Sequence, residues 1–406
     1  MAAVTVPGAL AQTVTLNYDS AANTGIARQL AANITAGVNA STITPVSQGA
    51  GPPPALPAGT TGEFIQTQNG LTTLPSGYAD VVNAARDAVI FGSGDAGESI
   101  LSGDGKLTFV ATGGSGTVAG GAGGDTVIIP GSDGGDWSIN TGGGDDRVLA
   151  WGGGNDTINA GGGHNEIALG SGRDLVASEG DDTIIAGAGA ETVDATGARH
   201  DLVYGGSSNL FFVGGQGRFE VFGGTGSDTV IGGTGDAVVH GGTGGQNLLF
   251  AGYGHATLFG GGDGDQLYAE GSKAQSLRAG SGNETLSGAH ASGDLTIHAG
   301  SGADQITLGS GDTRVVAGTG SDTIKGGTGH DVFTFIHGEA GGSSLIANFT
   351  SLDTIRLVGY GPDAERQALQ SQVVADGAVS VTLSDNTTIT VLGVSRLTSA
   401  NFGDHK

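Results

Sequence analysis

The chain has 406 residues, enough for two or three domains, yet 82 are glycine, about a fifth against roughly 7% in average proteins, which excludes an ordinary globular enzyme throughout. Fifteen Lys and Arg face 40 Asp and Glu, for a formal charge of −25, so nucleic acid and anionic membrane surfaces are excluded as general partners; such an excess of carboxylates suits either hard cations, which prefer oxygen ligands, or a highly solvated acidic surface. No cysteine is present, hence no disulfide and no thiolate metal site, and no apolar run approaches the ~20 residues of a membrane span.

Residues 1–90 differ in composition from the rest and are expected to form a small mixed α/β region that caps or docks. Thr13 to Tyr18 alternates like a strand. Asp19 or Ser20 can cap a helix with Ile26, Leu30, Ile34 and Val38 on one face. Gly51 to Gly59, with four prolines, reads as a stiff linker or turn. Ser76 can cap a second helix with Tyr78, Val81, Val82, Ala85 and Val89 on one side. The first basic residue is Arg28, so the start lacks the charged region of a secretory signal.

From Phe91 an apolar residue recurs at spacings close to nine, through Ile100, Phe109, Val118, Val127, Ile139 and onward past Phe211, Leu248 and Leu258 to Phe333. The clearest stretch is Ala299 to Thr334, which reads AGSGADQIT, LGSGDTRVV, AGTGSDTIK, GGTGHDVFT. Each block joins a glycine-rich half, free to take positive φ, to a strand of a few residues with one side chain pointing inward. Strands so short bury nothing alone, so successive blocks must stack, which predicts a solenoid over residues 91–334. Beyond it, 335–406 reads as a β cap: Leu345 to Phe349, Thr354 to Tyr360, Val373 to Leu383 and Thr387 to Val394 as strands, Asp363 to Gln372 as a helix, and Asp376-Gly377 and Asp385-Asn386 as turns.

The blocks resemble the RTX nonapeptide family, whose pattern Gly-Gly-x-Gly-x-Asp-x-apolar-x is met in full by Gly120 to Ile128, Gly223 to Ile231 and Gly326 to Thr334. The resemblance implies an all-β fold, a parallel β-roll of two short-stranded sheets with two blocks per coil and calcium between successive loops on each edge. It also implies that one calcium is shared by sixth-position carboxylates one coil, or about eighteen residues, apart. On that basis Asp304 with Asp322 and Asp156 with Asp174 are paired ligands, Asp136 extends the second column, and Asp125, Asp146 and Asp182 with Asp201 populate the opposite edge, interrupted by Asn165. Asp331 closes the last full motif. Between about 205 and 260 the sixth column reads Asn209, Phe219, Asp228, Ala237, Gln246 and Ala256, which leaves calcium there in doubt. The tail is similar to the C-terminal region of RTX proteins exported by type I systems, which implies the type I secretion apparatus as a partner and a secreted, extracellular or cell-surface location.

The ninth column, expected to face solvent, is apolar in the middle of the chain: Tyr204, Phe212, Phe222, Ile231, His240, Leu249, Phe259 and Tyr268. An outward ladder of this kind implies a partner, with self-association as the candidate, or a covering segment; the N-terminal region folding back over it is the alternative. No HExxH, GxSxG, cysteine nucleophile or phosphate-loop motif occurs. The sequence therefore favours a secreted calcium-binding structural or adhesive protein of a bacterial surface, matrix or surface layer. A soluble carbohydrate-binding module acting on cell-surface polysaccharide, or a polysaccharide-modifying β-helix enzyme with paired carboxylates, is the alternative.

Overall fold

The computed structural model describes residues 1–9, 12–131 and 134–403, and they form an all-β parallel solenoid with two α-helices among them. It divides into two compact units, Met1–Phe212 and Val213–Lys406. A coil takes 17 to 22 residues, and each strand pairs in parallel with the strand one coil earlier and one coil later.

In Met1–Phe212, one sheet runs from Ile43–Gln48 to Glu191–Ala195 and the other from Gly70–Thr73 to His200–Tyr204. Ile100, Val118, Ile139, Ile158, Val176 and Val193 lie directly over one another in the first, all fully buried. Phe109, Val127, Val148, Ile167, Ile184 and Val203 do the same in the second. Burying such side chains is worth ~1.5–3 kcal/mol each, and the β-branched residues that dominate these columns suit a pleated surface. The turns between them need glycine for two reasons, both visible at Gly163. Its φ is +124°, and a Cβ there would run into the carbonyl oxygen of Gly144 one coil away.

The N-terminal elements do not stand ahead of the solenoid but lie on it. Ala2–Pro7 and Thr13–Tyr18 form an antiparallel pair, followed by the helix Ala21–Asn39, whose N-cap Ser20 Oγ accepts the Asn23 N–H at 3.0 Å. Ala27, Ala31 and Ile34 of the helix pack with Val4, Val6, Leu16 and Tyr18 against Ile65, Val82, Leu101 and Ala119, the outward column of the first coils. The Asn23 side-chain amide also donates to the Gly120 carbonyl at 2.9 Å.

The second helix expected from Ser76 is absent; Tyr78–Asn83 and Asp87–Phe91 are strands. Because the first helix covers this face, Val81 points into the roll while Val82 is buried outside it. A strand buried on both faces loses the alternation that would have marked it. Parallel coils therefore begin at Ile43 instead of Phe91.

In Val213–Lys406, one sheet runs from Arg218–Phe222 to Thr354–Val358 and the other from Thr229–Ile231 to Ser343–Ala347. The second sheet ends differently from its earlier coils. Ser343–Ala347 takes Thr388–Leu392 as a parallel neighbour, which pairs antiparallel with Ala378–Thr382 and, beyond it, Val373–Ala375. Asp376 and Gly377 turn the first hairpin with φ of 52° and 77°, and Asn386 turns the second at 69°. Between Thr354–Val358 and Val373–Ala375 in chain order lies the helix Ala364–Gln370.

The apolar column slips by one residue in three places. Ile90, Phe212 and Leu249 are the fully buried residues, whereas Phe91 and Leu248 are half-buried and Phe211 is 41% exposed. Each slip falls where two apolar residues sit side by side. Truncating Leu249 to Ala is expected to destabilise the protein by about 2–5 kcal/mol, and Leu248→Ala by less than about 1 kcal/mol. Denaturant titration in calcium reads both; equal effects would place the inward residue wrongly.

Candidate calcium centres on the coil edges

At many strand starts the first backbone N–H is capped by a side chain from the next coil, whereas at others, such as Ala237 and Leu295, it donates to a backbone carbonyl of that coil. On one edge of Met1–Phe212, Asp125 Oδ1 accepts the Leu107 N–H at 2.7 Å, Asp146 Oδ1 accepts the Asp125 N–H at 2.7 Å, and Asn165 Oδ1 accepts the Asp146 N–H at 2.9 Å. Asp182 and Asp201 continue the series, each at 3.3 Å, with Ser178 Oγ donating to Asp201 at 2.9 Å. On the other edge, Asp156 and Asp174 cap the N–H groups of Trp137 and Asp156, both at 2.8 Å. Val213–Lys406 repeats the device. Asn247, Asp265, Asp304 and Asp322 cap Asp228, Asn247, Glu284 and Asp304 at 2.9, 2.8, 2.8 and 3.3 Å, while Asp331 caps Thr313 and Asp353 caps Asp331. All these carboxylates are at most 2% exposed.

One carboxylate oxygen is thus used, and the other often is not. The second oxygens of Asp125, Asp146, Asp201, Glu191 and Asp322 are buried with no hydrogen bond of good geometry, and the buried carboxyls of Glu284 and Asp304 face one another. An ionised carboxylate so placed is expensive, which raises its pKa. Burial, ahead of any neighbouring charge, pushes Asp125 up to about 8 and Asp146, Glu191 and Asp201 up to about 7. Asp322 and Asp331 are pushed up to about 6 for the same reason, and Asp174, Asp182, Asp304 and Glu284 move the same way.

A hard divalent cation fits these residues, because it would take the unpaired oxygens and remove the cost of their charge. Among the described residues no three His, Cys, Asp or Glu side chains converge on one point. Carbonyl oxygens of the glycine turns must therefore complete any shell. An all-oxygen set of carboxylate and carbonyl is the donor chemistry of calcium.

Asp136 does not belong to this series. It is exposed, and its Oδ1 accepts the Asn155 N–H at 2.7 Å, one position ahead of the capping column. Trp137 occupies that column instead, because this coil is longer than eighteen residues. Glu191, Asp265, Glu284 and Asp353 escaped the sequence reading. The first three lie at coil spacings of 17 to 20, so only a tolerance for coil length and for Glu in the Asp column finds them. Between 205 and 260 Asn247, not Gln246, caps a strand and Asp228 is buried beside it, while Phe219, Ala237 and Ala256 bury apolar side chains on the opposite edge. Glu63, in a coil upstream of the motifs, is a further buried acid, pushed up to about 8 by burial and by Asp80.

The outward aromatic column is corrected in two members: Phe212 and Leu249 are core residues. Tyr204 is 41% and Ile231 36% exposed, and Phe222, Phe259 and Tyr268 are half-buried. Phe222, His240 and Phe259 stack at 4.6 Å, and Phe250 stacks on Tyr268 at 4.8 Å. The N-terminal elements cover Ile65, Val82, Leu101 and Ala119 instead.

These geometries define a repeat protein built around buried edge carboxylates. Residues 152–176, 174–199, 222–244, 292–315 and 309–342 match the family described as RTX calcium-binding nonapeptide repeat (4 copies). The chain carries RTX calcium-binding nonapeptide repeats, and calcium is the ion that such repeats bind. No curated protein matches the chain. Among solved structures, the extracellular lipase LipA from Serratia marcescens is similar at 14% identity and a TM-score of 0.20, over 50% of this chain and 39% of that one. The chain thus spans well under half the length of that lipase. Asp125, Asp146, Asp265 and Glu284 lie outside the matched segments yet share their geometry.

The raised carboxyl values fix how the metal-free protein responds to pH. Folded values of about 6 to 8 stand above the ordinary 3.8 for Asp and 4.5 for Glu, so the unfolded chain releases its protons first. The associated stability is complete below pH ~4 and is lost as pH rises through 6 to 8. In chelator the thermal midpoint is expected to fall from pH 5 to pH 8. Calcium should abolish or reverse that slope while releasing protons on binding. A midpoint in chelator that is flat or rising over this range would show that the edge carboxyls are not buried as described.

Proposed function

We propose that the chain is a secreted, calcium-stabilised structural or adhesive protein of a bacterial surface, matrix or surface layer. The observation that carries this reading is the commitment of the buried carboxylates to the backbone of neighbouring coils. Asp125, Asp146, Asp156, Asp174, Asp304 and Asp322 each cap a strand, which supports a role in holding the repeat over a role as a catalytic pair. The unpaired oxygens among them make extracellular calcium, at affinities of ~10⁻⁴–10⁻³ M for modules of this environment, the agent that rigidifies the coils. RTX repeat proteins are typically secreted, and the proposal places export with the type I apparatus and the C-terminal residues.

On this reading, folded protein incubated with bacterial cell envelopes is retained in millimolar calcium and released by chelator. Circular dichroism in the same chelator shows a partial loss of β content and an increase in hydrodynamic radius. Retention that is indifferent to calcium, or absent from every envelope and from assemblies of the protein itself, would remove the adhesive reading.

A further inference from the structure

Within Val213–Lys406, the outer side of one sheet carries a feature that the calcium edges do not use. A column of outward positions reads Phe222, His240, Phe259, Arg278 and His298, one residue per coil. The adjacent column begins at Glu220 and ends at Arg314. Phe222, His240 and Phe259 are stacked at 4.6 Å with ring planes within 4° of parallel, and the Arg278 guanidinium lies 5.7 Å from the Phe259 centroid. His298 is flanked by Arg278 in the coil before and Arg314 in the coil after; burial and then these two guanidinium groups hold its pKa below the usual range. Glu220 is the carboxylate of the two columns and sits 3.8 Å from His240 Nε2, at the far end from the arginines. Arg278 and Arg314 are both exposed and form no ion pair among the described residues.

The stacking decides what this stripe can bind. Ring faces inside the stack are taken by neighbouring rings and by Arg278, so they are closed to the face-on packing by which a neutral sugar would dock. Ring edges point outward, and the edge is the positive part of an aromatic quadrupole. The arginines add planar donor forks that match carboxylates bidentately. A stripe of positive edges and guanidinium groups without a carboxylate partner on a chain of net charge −25 is selective for an anion, and the coil repeat of ~4.8 Å offers contacts at about the pitch of successive monosaccharides.

We propose that this stripe binds an extended acidic polysaccharide bearing one carboxylate per monosaccharide, with Arg278 and Arg314 as its charged contacts. The proposal rests on the adhesive reading above and gives it a ligand class. Duplex DNA, with one charge per ~1.7 Å, would meet repulsion from the rest of the chain. A second copy would set −25 against −25 with two guanidinium groups to offset it.

The test uses the full chain in calcium with soluble fluorescent oligogalacturonate, and with its methyl ester and dextran as neutral controls. Wild type is expected to bind the acid form alone, with affinity falling as salt rises. R278Q/R314Q should bind at least tenfold more weakly with an unchanged thermal midpoint, and Arg147→Gln, on the other unit, should bind like wild type. Equal binding by the double variant would mean that calcium bridges the sugar to the coil edges, and the stripe is not the site. Equal binding of the ester, no binding by wild type, or a wild-type dimer that the double variant abolishes in sedimentation would each overturn the proposal. Oligogalacturonate binding that persists when envelopes are not retained would sink the adhesive reading and leave this one standing.

Discussion

A carboxylate taken out of water must be protonated, hydrogen-bonded or neutralised, and this chain stacks such groups one coil above another. The reason lies in the backbone. Where the first N–H of a short strand finds no backbone carbonyl in the next coil, leaving it unpaired in a dry turn costs as much as a lost hydrogen bond. Asp125, Asp146, Asp322 and their equivalents supply one oxygen to that N–H and strand the other. The device that closes each coil is therefore also the one that creates a demand for a cation. Architecture and metal requirement are a single property of the turn.

Much of this was legible in the residues because the inward column tolerates little variation. Val148, Ile158 and Ile167 are buried where the spacing put them, since a one-residue slip would exchange core for surface. The pattern is ambiguous where the local signal is double. Phe211-Phe212 and Leu248-Leu249 offer two apolar side chains to one inward position, and coils of 17 to 22 residues make counting by nine drift. The same drift sets Asp136 one position ahead of the capping column. Tyr78–Asn83 loses its alternation because the N-terminal elements pack over Val82 and bury its outer side as well as its inner one, a tertiary fact that no window of a dozen residues contains.

The two units solve the problem of the outer face differently. In Met1–Phe212, Ile65, Val82, Leu101 and Ala119 are covered by the helix and the antiparallel pair. In Val213–Lys406, aromatic residues one coil apart cover one another, ring on ring. The first solution adds a second apolar layer and hides the sheet. The second satisfies ring faces within the column and leaves edges and cations outward, which is why a chain so acidic overall presents a positive stripe there.

The antiparallel strands near the C-terminal end bear on how the roll comes into being. Every parallel coil must close a loop of about twenty residues before its first ladder bond can form, and the entropy of that closure is lost in advance of any gain. Ala378–Thr382 and Val373–Ala375 meet across the two-residue turn Asp376-Gly377, a hairpin that closes in ~1–10 μs. Through Thr388–Leu392 it presents a finished edge to Ser343–Ala347. A coil laid against an existing edge gains its bonds as it closes, whereas a coil formed in isolation does not. The end of Val213–Lys406 thus carries a strand edge whose closure needs only local contacts, the one place among the described residues of that sheet where pairing does not depend on a loop of coil length.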